Sequence, residues 1–110
     1  MRLPNGDRAT IEDGKLLDYV LNPEHPVGRH HAVVFERALG VTRTNAPILK
    51  QALLAAARDG EVVPGRASPH GLKYESRFAL TGPRGSATVL AVWLIEAGTE
   101  APRLITCYVE

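Results

Sequence analysis

The chain has 110 residues, a formal net charge of +1, 45% hydrophobic and 23% charged residues. That composition fits one globular domain over 1–110, able to bury a modest core without a staple, and it excludes a disordered chain. No apolar run reaches the ~20 residues of a membrane span, and the single cysteine, Cys107, excludes an internal disulfide and a cysteine-based zinc site.

Residues 1–10 carry Arg2, Pro4, Asp7 and Arg8 and no apolar stretch. No signal peptide is read there, and a cytoplasmic location is expected. Asp13 reads as the N-cap of a short helix over 15–21, stopped at Asn22-Pro23 because proline disfavours helical backbone in the residue before it. The segment Asn22-Pro23-Glu24-His25-Pro26-Val27-Gly28 follows as a rigid loop, its prolines limiting the entropy lost on ordering.

A second helix is expected over 29–39, closed by Gly40 as a left-handed cap. At about 100° per residue, His31, Val34, Phe35, Ala38 and Leu39 make its apolar face. Asn45 caps a third helix with Pro47 in its first turn. Its core face is Ile48, Leu49, Ala52, Leu53, Ala56 and Ala57, and Asp59-Gly60 ends it.

After Gly60 the hydrophobic period changes to two. Val62-Val63 starts a short strand broken by Pro64-Gly65. Over 72–80, Leu72, Tyr74, Phe78 and Leu80 alternate with Lys73, Glu75 and Arg77. Residues 81–85 turn, and 86–96 are apolar on both faces, as suits a central strand. The last strand, 103–109, sets Ile105, Cys107 and Val109 on one face and Leu104, Thr106 and Tyr108 on the other. Helices followed by strands predict an α+β fold: three N-terminal helices packed on one face of a three- to four-stranded antiparallel sheet. Register decides whether Lys73, Arg77, Thr106 and Tyr108 share the outward side.

Charge gathers in the middle of the chain. Residues 25–84 hold nine basic side chains against four acidic ones, and all four histidines, so an anionic partner would meet this stretch. The densest chemistry is His25-Pro26-Val27-Gly28-Arg29-His30-His31, a loop entering a helix N-terminus. Free backbone amides and the helix dipole favour an anion there. Arg29 offers a guanidinium that grips phosphate at two points, and imidazole takes or returns a proton near neutral pH. These are the parts of metal-independent RNA cleavage through the ribose 2′-hydroxyl. His31, at the centre of the apolar stripe, also suits a core-edge histidine, and His25 a loop-stabilising hydrogen bond.

No metal or other cofactor is expected. Adjacent His30 and His31 point about 100° apart on a helix and cannot share an ion, and no histidine pair has i, i+4 spacing. Cys107, between Ile105 and Val109 on an apolar face, behaves as a small hydrophobe. Thr106 and Tyr108 are candidates to hydrogen-bond a phosphate or stack on a base, as well as ordinary strand formers.

Several segments resemble a known family: Leu3-Pro4-Asn5, Leu21-Asn22-Pro23-Glu24-His25-Pro26, Gly28-Arg29-His30-His31-Ala32, Gly71-Leu72-Lys73-Tyr74, and Pro102 through Val109. The chain resembles uncharacterised bacterial proteins that stand alone or end large polymorphic toxins, with Asn-Pro-x-His-Pro their most specific segment. That family is loosely similar to the barnase–colicin–RelE-like ribonuclease toxins. The resemblance implies helices before a four-stranded antiparallel sheet, RNA cleavage without metal, and a cognate immunity or neighbour-encoded small protein as partner. Relatives usually carry lysine where this chain has His31, which favours Arg29 and His30 as the active pair.

The expected function is therefore a ribonuclease toxin-like domain acting on RNA, with no membrane partner and an oligomeric state the sequence leaves open. His30 or His31 activates the 2′-hydroxyl, Arg29 stabilises the phosphorane charge, and Thr106, Tyr108, Lys73, Arg77 and His25 hold substrate. The alternative is a non-catalytic protein- or phosphate-binding module.

Overall fold

A computed structural model describes residues 1–110. The architecture is α+β, with three helices and a four-stranded antiparallel sheet. A π-type helix, Lys15–Val20, is followed by α1, Arg29–Leu39, and α2, Ala46–Asp59, which lies mid-chain. The strands fill the C-terminal half: β1 Val62–Ser68, β2 Gly71–Gly82, β3 Gly85–Glu96 and β4 Arg103–Val109. Their order in the sheet is β1-β2-β3-β4.

The first helix departs from the expected regular form. Leu21 N–H reaches back five residues to the Leu16 carbonyl at 2.8 Å, and this wider winding buries Leu16, Val20 and Leu21 together. Asp13 does not cap it; its carboxylate pairs with Lys50 on α2 at 3.1 Å.

The boundaries of α1 are those expected, and Gly40 closes it at φ 71°. Its buried face is Ala32, Phe35 and Leu39, whereas Val34 is 42% exposed. Ala32 displaces Val34 because α1 starts hard against the preceding helix. A Cβ on buried Gly28 would stand 2.1 Å from the Tyr19 carbonyl oxygen.

The core lies between these helices and one sheet face. Phe35, Leu39, Leu49, Leu53 and Ala57 meet Tyr74, Leu80, Val89, Ala91, Trp93 and Cys107. One buried polar side chain joins them: Ser76, whose hydroxyl accepts the Trp93 indole N–H at 3.3 Å.

Two strand expectations are corrected. β1 does not break at Pro64 but continues to Ser68 with a bulge between Pro64 and Ala67. Proline is tolerated because β1 is an edge strand with no ladder to feed on its outer side. In β4, Val92 pairs with Thr106 but Trp93 pairs with Leu104, so Ile105 is an extra residue. The bulge puts Leu104 in the core with Cys107, where strict alternation would turn it outward.

On the opposite face, Leu90 and Leu94 are 3% and 4% exposed although they point away from the core. Register explains it. Arg77 and Tyr108 flank Leu90, and Lys73 and Arg103 flank Leu94, so long side chains lie over the leucines.

Candidate functional site

The loop 22–28 spends its polar groups on itself. Asn22 Oδ1 accepts from Glu24 N–H at 2.9 Å, and Asn22 Nδ2 donates to the Asp18 carbonyl. His25 Nδ1 accepts from the N–H of both Val27 and Gly28 at 3.0 Å, and the His25 carbonyl accepts from Arg29 N–H at 3.1 Å. The imidazole therefore acts as a side-chain cap with Pro26 just after it, and three amides expected to greet an anion are already claimed. Tyr19 meets the same ring edge-on at 5.0 Å.

Arg29 and His30 are exposed on the first turn of α1 and make no side-chain hydrogen bond or ion pair. Helical geometry sends them apart from His31 at about 100° per residue. His31 alone of the three leans toward β4. Its ring stacks on Tyr108, with centroids 5.1 Å apart and planes 20° from parallel. Neither His31 nitrogen nor the Tyr108 hydroxyl is hydrogen-bonded within the chain, and both residues are half-buried.

Tyr108 carries the site onto the outer sheet face. It sits opposite Leu90, whose other neighbour is Arg77. Arg77 Nε donates to both carboxylate oxygens of Glu110, at 2.8 and 3.1 Å, leaving its terminal nitrogens unclaimed. That hydrogen bond and the Glu110 charge hold the guanidinium above its ordinary value, with smaller contributions from Glu75 and Tyr108 across the same face. One rim thus gathers an imidazole, a phenol, a guanidinium and a carboxylate from α1, β4 and β2.

Lys73 lies exposed on the same face, four residues back along β2, beside Leu94. Thr106 is also on it, but its hydroxyl oxygen is buried and has no hydrogen-bond partner, so it does not meet a ligand in this conformation. His25 spends its Nδ1 within its own loop, and its ring meets Tyr19. Sequence reasoning missed Glu110, and the signal for it was positional: Glu110 follows Val109, and its pairing with Thr88 carries it back over Leu90 to Arg77.

Cys107 is fully buried, and burial pushes its thiol up to about 12, so no thiolate nucleophile is at hand. No three His, Cys, Asp or Glu side chains cluster in a metal-holding arrangement. Three surface cavities, of about 140, 420 and 340 Å³, are lined elsewhere; of the rim residues, only Arg77 borders one. No helix is long and apolar enough to cross a membrane.

Residues 2–110 match a protein family described as a domain of unknown function, DUF6883. No curated protein matches the chain.

Proposed function

The chain belongs to the DUF6883 family, and from the geometry of its own side chains we propose a metal-independent, ribonuclease-like domain centred on the His31–Tyr108–Arg77 rim. The observation that carries this reading is the stack of His31 on Tyr108 at 5.1 Å, with the polar atoms of both rings unspent. Imidazole is the side chain able to take and return a proton near neutral pH. Tyr108 offers an aromatic surface for an unpaired base, and the free nitrogens of Arg77 suit a phosphate.

In the step, His31 accepts the proton of a ribose 2′-hydroxyl while that oxygen bonds to the adjacent phosphorus. The bond from phosphorus to the 5′-oxygen breaks, and the 5′-oxygen leaves with a proton from water, giving a 2′,3′-cyclic phosphate. Arg77, oriented by Glu110, offsets the charge that grows on the phosphoryl oxygens. Lys73, Arg29 and His30 contact flanking phosphates from the sheet face and from the first turn of α1. A cell making this activity needs a protein inhibitor of it, the role of the expected immunity partner.

The test is cleavage of an unstructured RNA in the presence of EDTA, with the ends of the products identified. Wild type should leave cyclic phosphate ends, and His31→Ala should lower the rate by about 10²–10⁴. Arg77→Met and Tyr108→Leu should retain folding and lose rate. If wild type cleaves no faster than His31→Ala, catalysis at this rim is refuted.

A second reading, a non-catalytic module holding RNA or another phosphate, is favoured by one observation: no deep cavity adjoins His31 and Tyr108. Salt-sensitive RNA binding without cleavage, weakened by Lys73→Ala and Arg77→Met, selects it.

A further inference from the structure

The outer face of the sheet carries one charge of the wrong sign for a surface that holds phosphates. Along β2, Lys73, Glu75 and Arg77 all point outward, opposite Leu94, Val92 and Leu90 of β3. Lys73 and Arg77 are about 13 Å apart along the strand, and Glu75 stands midway. Its carboxylate makes no hydrogen bond and no ion pair, although a cation lies two residues away on either side. Arg77 turns to Glu110 instead, and Lys73 bonds to no carboxylate.

The neighbours of Glu75 explain why it is left over. Register puts Val63 of β1 on one side and Val92 of β3 on the other, and neither side chain can bond a carboxylate. Val63 is 61% exposed, an apolar surface beside two open acceptor oxygens. Glu75 itself is half-buried between them, where a hydrogen bond to its oxygens is stronger than in open water.

A carboxylate repels a phosphate, so what meets Glu75 on an RNA-holding face is a base rather than the backbone. Donor pattern then separates the four bases at their Watson–Crick edges. Guanine presents two parallel donors, N1–H and the 2-amino group, which match the two oxygens of one carboxylate. Adenine and cytosine each set one amino donor beside a ring nitrogen that accepts, and uracil sets one N–H between two carbonyl oxygens. In those three, a carboxylate oxygen meets a lone pair. The edge is open in an unpaired nucleotide, the form of substrate proposed above. Tyr108, two strands across and one row along, lies about 12 Å from Glu75 between Cα atoms, near enough for one purine to contact both.

We propose that Glu75 selects guanine, accepting from N1–H and the 2-amino group while Val63 and Val92 line the ring and Arg77 holds the adjoining phosphate. Glu75 acts here within the RNA site proposed for this face, and on that reading it decides which nucleotide is held rather than how the bond breaks.

Calorimetric titration of the full chain with guanosine, inosine, adenosine, cytidine and uridine 3′-monophosphates tests the proposal. The guanosine nucleotide should bind about tenfold or more tighter than those of adenosine, cytidine and uridine. Inosine, which lacks the 2-amino group, should fall between. Glu75→Gln replaces one acceptor oxygen with a donor, a pattern that suits the amino group and ring nitrogen of adenine. The guanosine-to-adenosine ratio should therefore fall to about one or below. Glu75→Ala should level the ratio as well, while Arg77→Met should weaken every nucleotide and leave the ratio alone. Equal binding of all five nucleotides by the wild type overturns the proposal, as does no detectable binding of any of them at millimolar concentration. A Glu75→Gln variant that binds every nucleotide more tightly with the ratio unchanged also overturns it, since the carboxylate then acts through charge alone. Guanosine preference without RNA cleavage refutes the catalytic reading and leaves this one standing, whereas cleavage without base preference does the reverse.

Discussion

In the turn before α1, the imidazole of His25 gives its Nδ1 to two backbone amides, while the imidazole of His31, within the first turn of the helix, has neither nitrogen bonded and lies against Tyr108. Asn22 repeats the first pattern with its own backbone contacts, and Arg77 the second with its open terminal nitrogens. The two regions contain the same kinds of side chain. In the turn the polar atoms hold the chain in shape, because a buried glycine and two prolines leave its amides no helical partner. At His31 and Tyr108 the backbone is satisfied by helix and strand, so side-chain polarity is left over for something else.

Substitutions that separate shape from chemistry sharpen this contrast. The largest effect belongs to Gly28→Ala, which drives a Cβ against the Tyr19 carbonyl and should cost about 2 kcal/mol or more in denaturant unfolding. An unchanged midpoint would show that the two helices are not locked there. His25→Ala loses a cap and should cost about 1–2 kcal/mol, with His25→Asn restoring most of it, since asparagine also caps. His31→Ala should cost about 1 kcal/mol or less, the worth of a half-buried ring pair, while slowing the proposed cleavage far more. A reversed ranking of His25 and His31 in stability would collapse the distinction between the two regions. The smallest change has the opposite sign. Thr106→Val removes a buried hydroxyl with no partner and should stabilise the fold by up to about 1 kcal/mol, leaving RNA contacts alone.

The two α-helices were legible because their signals are local, whereas the π-type winding of the first helix was not. Gly40 and Asp59-Gly60 mark ends that no long-range contact overrides, and the α2 face of Leu49, Leu53, Ala56 and Ala57 follows its periodicity. The α1 face was read one step off, since its rotation is set by Gly28 against Tyr19, a contact between two separate elements. The candidate site was half legible. Tyr108 and Arg77 were named from residue type and strand parity and His31 from residue type; His31 stacks on Tyr108, and Tyr108 and Arg77 lie either side of Leu90. Arg29 and His30 were favoured over His31 by a comparison with lysine-bearing relatives, yet the stack that draws His31 to β4 depends on how helix and sheet edge meet. Nor does residue type separate a histidine that caps a turn from one that faces solvent; only hydrogen-bond geometry does so.

The extra residue in β4 has a consequence for how this chain tolerates changes in length. With Ile105 present, Leu104 and Cys107 both point inward and Thr106 and Tyr108 outward. With Ile105 deleted, simple alternation places the same four side chains on the same two faces, because the bulge absorbs one residue without reversing parity. A gap at that position therefore erases local twist but spares the core and the rim, whereas a gap one strand earlier, in regularly paired β3, would turn every following side chain inside out.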